Sequence, residues 1–296
     1  MSTVILNNEV QSKRIYQGPG VTGANLKTAT TLANQLNQIK DYIEAINKND
    51  FPEGLFFIAP AMPILSKAAE LLKEYPQIKL ATQTIYPNNG KENTGNVLAA
   101  HDKELGIQYS MIGHMEERRN LRLLVGSCPD PRLAENNVMA QKIEQVTKAG
   151  IAPIICIGDT AEERMRTKSV LLNQFMGGTK LITKEDLQKL IDKGLIPAVA
   201  YEPAWAIGAT AASPELVDET CKYIRSLITE KFGEEISAKM PILYGGSISP
   251  ENVSKFTQKP SIDGVLVGGA SYGTYKESPK IFAISRAAAA DVKRLY

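Results

Sequence analysis

Three side chains with complementary chemistry stand out in this 296-residue chain: the carboxylate of Glu202, the imidazole of His114 and the ammonium of Lys27. Each lies just beyond a short apolar run. Glu202 precedes Pro203, Trp205 and Ile207, so its carboxylate is partly desolvated, which raises its pKa and improves it as a base near neutral pH. His114 follows Met111-Ile-Gly113 and could polarise a carbonyl oxygen. Lys27 stands two residues after Asn25 and could offset developing negative charge. Taken singly, these are as readily a capping Glu, a core His and a solvated Lys. Two glycine pairs, Gly245-Gly246 before Ser247 and Gly268-Gly269, close further apolar runs. Without Cβ atoms, an anion can come close to their backbone N–H groups. One such pair serves a tight turn equally well; two in succession argue for a phosphate. Base, electrophile, cation and phosphate pocket together suggest proton abstraction next to the carbonyl of a small sugar phosphate.

These residues need a scaffold that brings them to one place. Short, β-branched, nearly continuously apolar runs predict strands over 55–59, 78–81, 108–112, 152–157, 196–201, 241–243 and 264–267, each covered on both faces. Helical patterns lie between them, over 31–47, 63–73, 135–149, 184–193, 214–232 and 279–292. Strands alternating with helices imply a parallel sheet of βαβ units. A first strand near 21–26 makes eight, although Gly18, Pro19, Gly20 and Gly23 are poor strand chemistry. Eight strands in about 250 residues fit an α/β fold of the closed (β/α)8 barrel type. An open doubly wound sheet is the competing arrangement. The barrel puts chemistry at the C-terminal strand ends, where the residues above fall. Residues 1–15 read as an N-terminal extension and 16–296 as the barrel.

Composition narrows the partners. Lys plus Arg is 34 and Asp plus Glu is 32, a net +2. That balance argues against nucleic acid, which needs net phosphate neutralisation, and against a polybasic membrane anchor. No apolar run approaches the ~20 residues of a membrane span, and no signal-like N-terminus is evident. Three scattered cysteines (Cys128, Cys156, Cys221) make no disulfide framework, as expected of a reducing cytoplasm. Only two histidines are present, too few for a His-rich metal site.

Longer strings carry a family resemblance. Tyr201-Glu-Pro-Ala-Trp-Ala-Ile-Gly208 is the most specific of them. Leu243-Tyr-Gly-Gly-Ser247, Gly264-Val-Leu-Val-Gly-Gly-Ala-Ser271, Ile112-Gly-His-Met-Glu-Glu-Arg-Arg119, Ile155-Cys-Ile-Gly-Asp-Thr-Ala-Glu-Glu-Arg164 and Gly23-Ala-Asn-Leu-Lys27 complete the set. Their content and order resemble the triosephosphate isomerase family from about residue 20 onward. The resemblance implies interconversion of dihydroxyacetone phosphate and glyceraldehyde 3-phosphate without metal or organic cofactor. It implies Glu202 as base, His114 as electrophile, Lys27 as electrostatic stabiliser, Asn25 as a positioning group and Glu116 as support. It assigns Gly208, Ser247, Gly268 and Gly269 to the phosphate, 203–212 to a closing lid, and Thr94-Gly95 to a loop tip inserted into the other subunit of a homodimer.

The chain departs from the family pattern around the mouth. Met115 stands where Ser is usual, and Glu117 looks inserted before Arg118. Residues 120–133 hold an extra Pro-rich segment, and the usual acidic stretch after the Arg pair is not evident. The far hinge of the lid, 209–213, lacks the usual Gly-Lys. Two further readings therefore stay open: an isomerase of a larger ketose phosphate, such as a tetrulose phosphate, and a catalytically silent phosphate-binding barrel.

Overall fold

In the computed structural model, which describes residues 14–26, 31–90, 93–271 and 280–294, eight parallel strands close into a barrel in chain order. They are β1 (Val21–Asn25), β2 (Leu55–Ala59), β3 (Ile78–Thr82), β4 (Tyr109–Ile112), β5 (Ala152–Ile157), β6 (Ala198–Tyr201), β7 (Ile242–Tyr244) and β8 (Gly264–Val267). Closure is made by β8 beside β1, with Val21 opposite Gly264 and Ala24 opposite Val267. The closed barrel therefore holds and the open sheet does not. The glycine-rich first strand forms because Gly23 sits where space runs out: a Cβ there would come within 2.1 Å of the Phe57 ring.

The uniformly apolar strands serve two cores, because successive side chains point to opposite faces. Phe57, Tyr109, Met111, Ile154, Cys156, Ala200 and Leu243 form the inner core. Phe57 and Tyr109, from strands that are not neighbours, stack across it at 5.9 Å. Phe56, Ile58, Ile155, Val199 and Ile242 face outward into the larger core beneath the helices.

The helices differ from the sequence expectation mainly in number and length. Met115–Leu124 and Thr167–Gly178 are helices that the apolar pattern does not announce. The Pro-rich segment begins the next helix, Pro131–Ala149, with Asp130 capping it through the Leu133 N–H and Pro131 in the first turn. Pro fits there because that turn leaves its N–H groups unpaired. Helix Pro214–Lys239 runs beyond residue 232 across a break at Gly233, whose φ is +84°.

Arg14 is part of the barrel's underside. Its guanidinium donates to the Ile262, Thr257 and Lys259 carbonyls and to Asp263 Oδ1 at 2.9 Å.

Asp102, in helix Ala99–Glu104, is 1 % exposed, and its Oδ2 has no hydrogen-bond partner among the described residues. Burial pushes its carboxyl up to about 7, partly opposed by the Thr82 hydroxyl. Between the ordinary value of 3.8 and about 7, the folded chain keeps a proton that the unfolded chain has lost. Stability therefore falls as pH rises through that window. Asp102→Asn is expected to raise stability at pH 8 by on the order of 2–4 kcal/mol, with little gain at pH 4. Thermal unfolding of both proteins at the two pH values checks this; an equal gain at both would show that the carboxyl charge is not the cause.

Candidate active site

Glu202 closes β6. Its side chain is only 4 % exposed, and its backbone N–H is fixed to the Ile157 carbonyl at 2.8 Å. Gly158 lets the Glu202 backbone pass: a Cβ at 158 would lie 1.9 Å from the Glu202 carbonyl oxygen. The carboxylate accepts the Met115 N–H at 3.1 Å, and its Oε1 lies 3.5 Å from His114 Nε2. Burial raises its pKa; His114, the Met115 N–H and Arg118 oppose the rise. Met115 takes part through its backbone N–H alone, since its side chain has no donor to offer the carboxylate.

His114 is the N-cap of helix Met115–Leu124, and its Nδ1 accepts the Glu116 N–H at 3.3 Å. A ring nitrogen that accepts carries no proton, so the neutral ring holds its proton on Nε2, the atom facing Glu202. The peptide before it is gripped from both ends. Glu117 Oε2 accepts the Gly113 N–H at 2.6 Å, and Arg118 Nε donates to the Gly113 carbonyl at 2.9 Å. Glu117 is held in turn by the Thr84 hydroxyl and the Lys142 ammonium. Glu116, the acid that the sequence reading selects, is half exposed, with its Oε2 3.8 Å from His114 Nδ1. The geometry gives the bracing contacts to Glu117. Sequence shows the extra residue but not which of two adjacent acids turns inward.

Arg118 also has an acidic partner that its local sequence does not show. Glu135, fully buried in helix Pro131–Ala149, pairs with Arg118 at 2.8 Å and with Arg122 and Arg132 at 3.4 and 3.5 Å. The acidic partner of Arg118 lies just after the Pro-rich segment.

Asn25, His114, Glu202, Gly208, Ser247, Gly268 and Gly269 surround one cavity of about 160 Å3, with Gly245 and Gly246 beside them. The space a Cβ would fill at Gly208 or Gly269 is open, so an anion has close access to that backbone. Asn25 is buried, and its Oδ1 accepts from Gln83 Nε2 at 3.1 Å. Gln83 also donates to the Leu26 and Ala59 carbonyls, tying three strand ends together, a role that its sequence context does not reveal. Ser247 donates to the Ala206 carbonyl at 2.7 Å, which links the turn after β7 to the segment that follows Glu202. Lys27 lies outside the described residues.

A sequence model of the family described as Triosephosphate isomerase matches residues 20–284. The chain belongs to the triosephosphate isomerase family. It is similar to individual proteins named triosephosphate isomerase from several bacteria. It is 36 % identical to a protein named triosephosphate isomerase from Fusobacterium nucleatum, over 80 % of this chain and 86 % of that one. It is 35 % identical to that of Dictyoglomus thermophilum, over 85 % and 94 %, and 34 % identical to that of Carboxydothermus hydrogenoformans, over 83 % and 89 %. The family's core is thus present in nearly full length, and the segment around Arg14 precedes the matched region.

Proposed function

We propose that the chain is an isomerase that interconverts dihydroxyacetone phosphate and glyceraldehyde 3-phosphate. The observation that carries this is the buried Glu202 carboxylate, 3.5 Å from His114 Nε2, on the wall of a small cavity that Gly208, Gly245, Gly246, Gly268 and Gly269 also line. Glu202 takes a proton from the carbon next to the carbonyl and returns it to the neighbouring carbon. His114 donates from Nε2 to the oxygen that becomes negative, which stabilises the enediolate. Lys27 adds positive charge. Asn25 positions the substrate, and Gly208, Ser247, Gly268 and Gly269 hold its phosphate. Glu117, more than Glu116, keeps the histidine segment in place. The family match favours a triose over a tetrulose phosphate. Turnover of both sugars tests the choice, as set out at the end of the Discussion.

The working unit is a homodimer in this reading. Thr94 and Gly95 are exposed at the tip of a long loop whose base is closed by the Tyr86 N–H on the Val97 carbonyl. Such a tip would be covered by a second copy. Light scattering is expected to give twice 32.3 kDa, and a species of 32.3 kDa would reject the dimer. We assign the enzyme to the reducing cytoplasm, a compartment that free Cys128, Cys156 and Cys221 suit. Among the described residues, no helix is long and apolar enough to cross a membrane.

A further inference from the structure

A cleft of about 950 Å3 opens on the outer side of the lid hinge, separate from the cavity that Glu202 faces. Arg164, Arg166, Lys168 and Lys222 ring it, and Trp205 and Tyr223 line its apolar wall. Lys222 is paired with Asp218 at 2.7 Å. Arg164, Arg166 and Lys168 are exposed and have no ion-pair partner among the described residues. They crowd the start of helix Thr167–Gly178, whose first turn holds no acid. Cations at a helix N-terminus face the positive end of its dipole, so an anion placed there would be welcomed by both. Two carboxylates reach the cleft. Glu219 is one. Asp159 is the other, but it is 1 % exposed and already accepts from Tyr201 at 3.0 Å, Thr167 at 2.8 Å and Trp205 Nε1 at 3.3 Å.

The cleft is wired to the lid. Trp205 stands three residues after the base, its indole pinned to Asp159 and covered by the Arg164 guanidinium 4.2 Å from the ring centroid. Lys168 lies over the Tyr223 ring at 5.6 Å. A ligand that engages these cations therefore touches the side chains that hold the lid's first hinge.

We propose that this cleft is a regulatory site for a nucleoside monophosphate, with the phosphate on Arg166 and Lys168 and the base against the Tyr223 wall. The cationic rim and the aromatic wall match a flat ring bearing one phosphate, and the cleft has room for it. Bound there, the nucleotide fills the cleft beside Trp205 and the Arg164 guanidinium that covers it, and holds the hinge in the position seen, which opposes lid closure on substrate. Occupancy raises the KM for the sugar phosphate by about three- to tenfold, the strength of one cation–ring contact.

Trp205 is the only tryptophan in the chain, so its emission reports on this cleft directly. AMP is titrated in with saturating 2-phosphoglycolate present to fill the phosphate site behind Glu202. A saturable change in emission is expected, together with a rise in KM when AMP is added to turnover assays. Phosphoglycolate should shift the AMP midpoint to a plateau, by the same factor as AMP shifts the dissociation constant of phosphoglycolate, because coupling between two bound ligands is reciprocal. The double variant Arg166→Ala, Lys168→Ala should lose both AMP effects while keeping its turnover without AMP and its melting temperature. No saturable response, or an unchanged one in that variant, overturns the proposal. So does an AMP midpoint that climbs without limit as phosphoglycolate rises, which would place AMP's phosphate on the glycine turns. The emission readout needs no turnover, so failure of the isomerase reading is seen separately.

Discussion

Glu202→Asp is expected to lower kcat by about 10²–10³-fold while leaving the KM for the triose phosphate within a few-fold of wild type. The loss is so large because the carboxylate position is fixed at both ends. The backbone N–H is held on Ile157, and Gly158 packs under the Glu202 carbonyl with no room for adjustment. Shortening the side chain draws the base back by about 1 Å, and a proton transfer tolerates little of that. The phosphate contacts proposed for Gly208, Ser247, Gly268 and Gly269 do not involve this side chain, so ground-state binding should survive. The pH profile supplies a second reading. Burial lifts the Glu202 pKa above the ordinary 4.5, so kcat/KM of the wild type should fall off on the acid side above that value. Steady-state kinetics across pH measure both. A variant with near-wild-type kcat would remove Glu202 from the role of base.

At the other end of the barrel the expected effect is on stability. Asp263, just before β8, sits fully buried between two arginines: Arg14 at 2.9 Å on one oxygen and Arg225 at 2.5 Å on the other. The second oxygen also accepts the Ile242 N–H at 2.8 Å. Asp263→Ala strands two guanidinium groups in a dry interior. Removing one partner of a buried pair costs about 3–5 kcal/mol, most of it the penalty of the charge left behind. Denaturant unfolding should register that loss, with the surviving folded protein keeping its kcat, because the N-terminal face of this barrel type supports stability rather than chemistry. A loss below 1 kcal/mol would mean that the arginines find water or other partners. Arg14→Ala in the same assay separates the share held by the segment ahead of the family match.

Apolar runs of five or six residues reveal the barrel because a strand covered on both faces needs little else, and the match at Ala152–Ile157 is to the residue. Helices such as Met115–Leu124 are harder to foresee. That one has a single buried residue, the charged Arg118, so no apolar stripe marks it. The site's glycines, Glu202 and His114 are legible because their types are scarce and they follow strands. The groups that brace them are not. Glu117 and Glu116 differ only in which way a helical turn points. Glu135 and Arg14 find partners 17 and 249 residues away, which no local pattern encodes.

Turnover of glyceraldehyde 3-phosphate and of a tetrulose phosphate by the same purified protein tests the central claim most directly. The account predicts a kcat/KM on the triose that exceeds the tetrulose value by orders of magnitude and collapses in Glu202→Asp. Weak triose turnover beside strong tetrulose phosphate turnover would contradict it, as would phosphoglycolate binding with no turnover of either sugar.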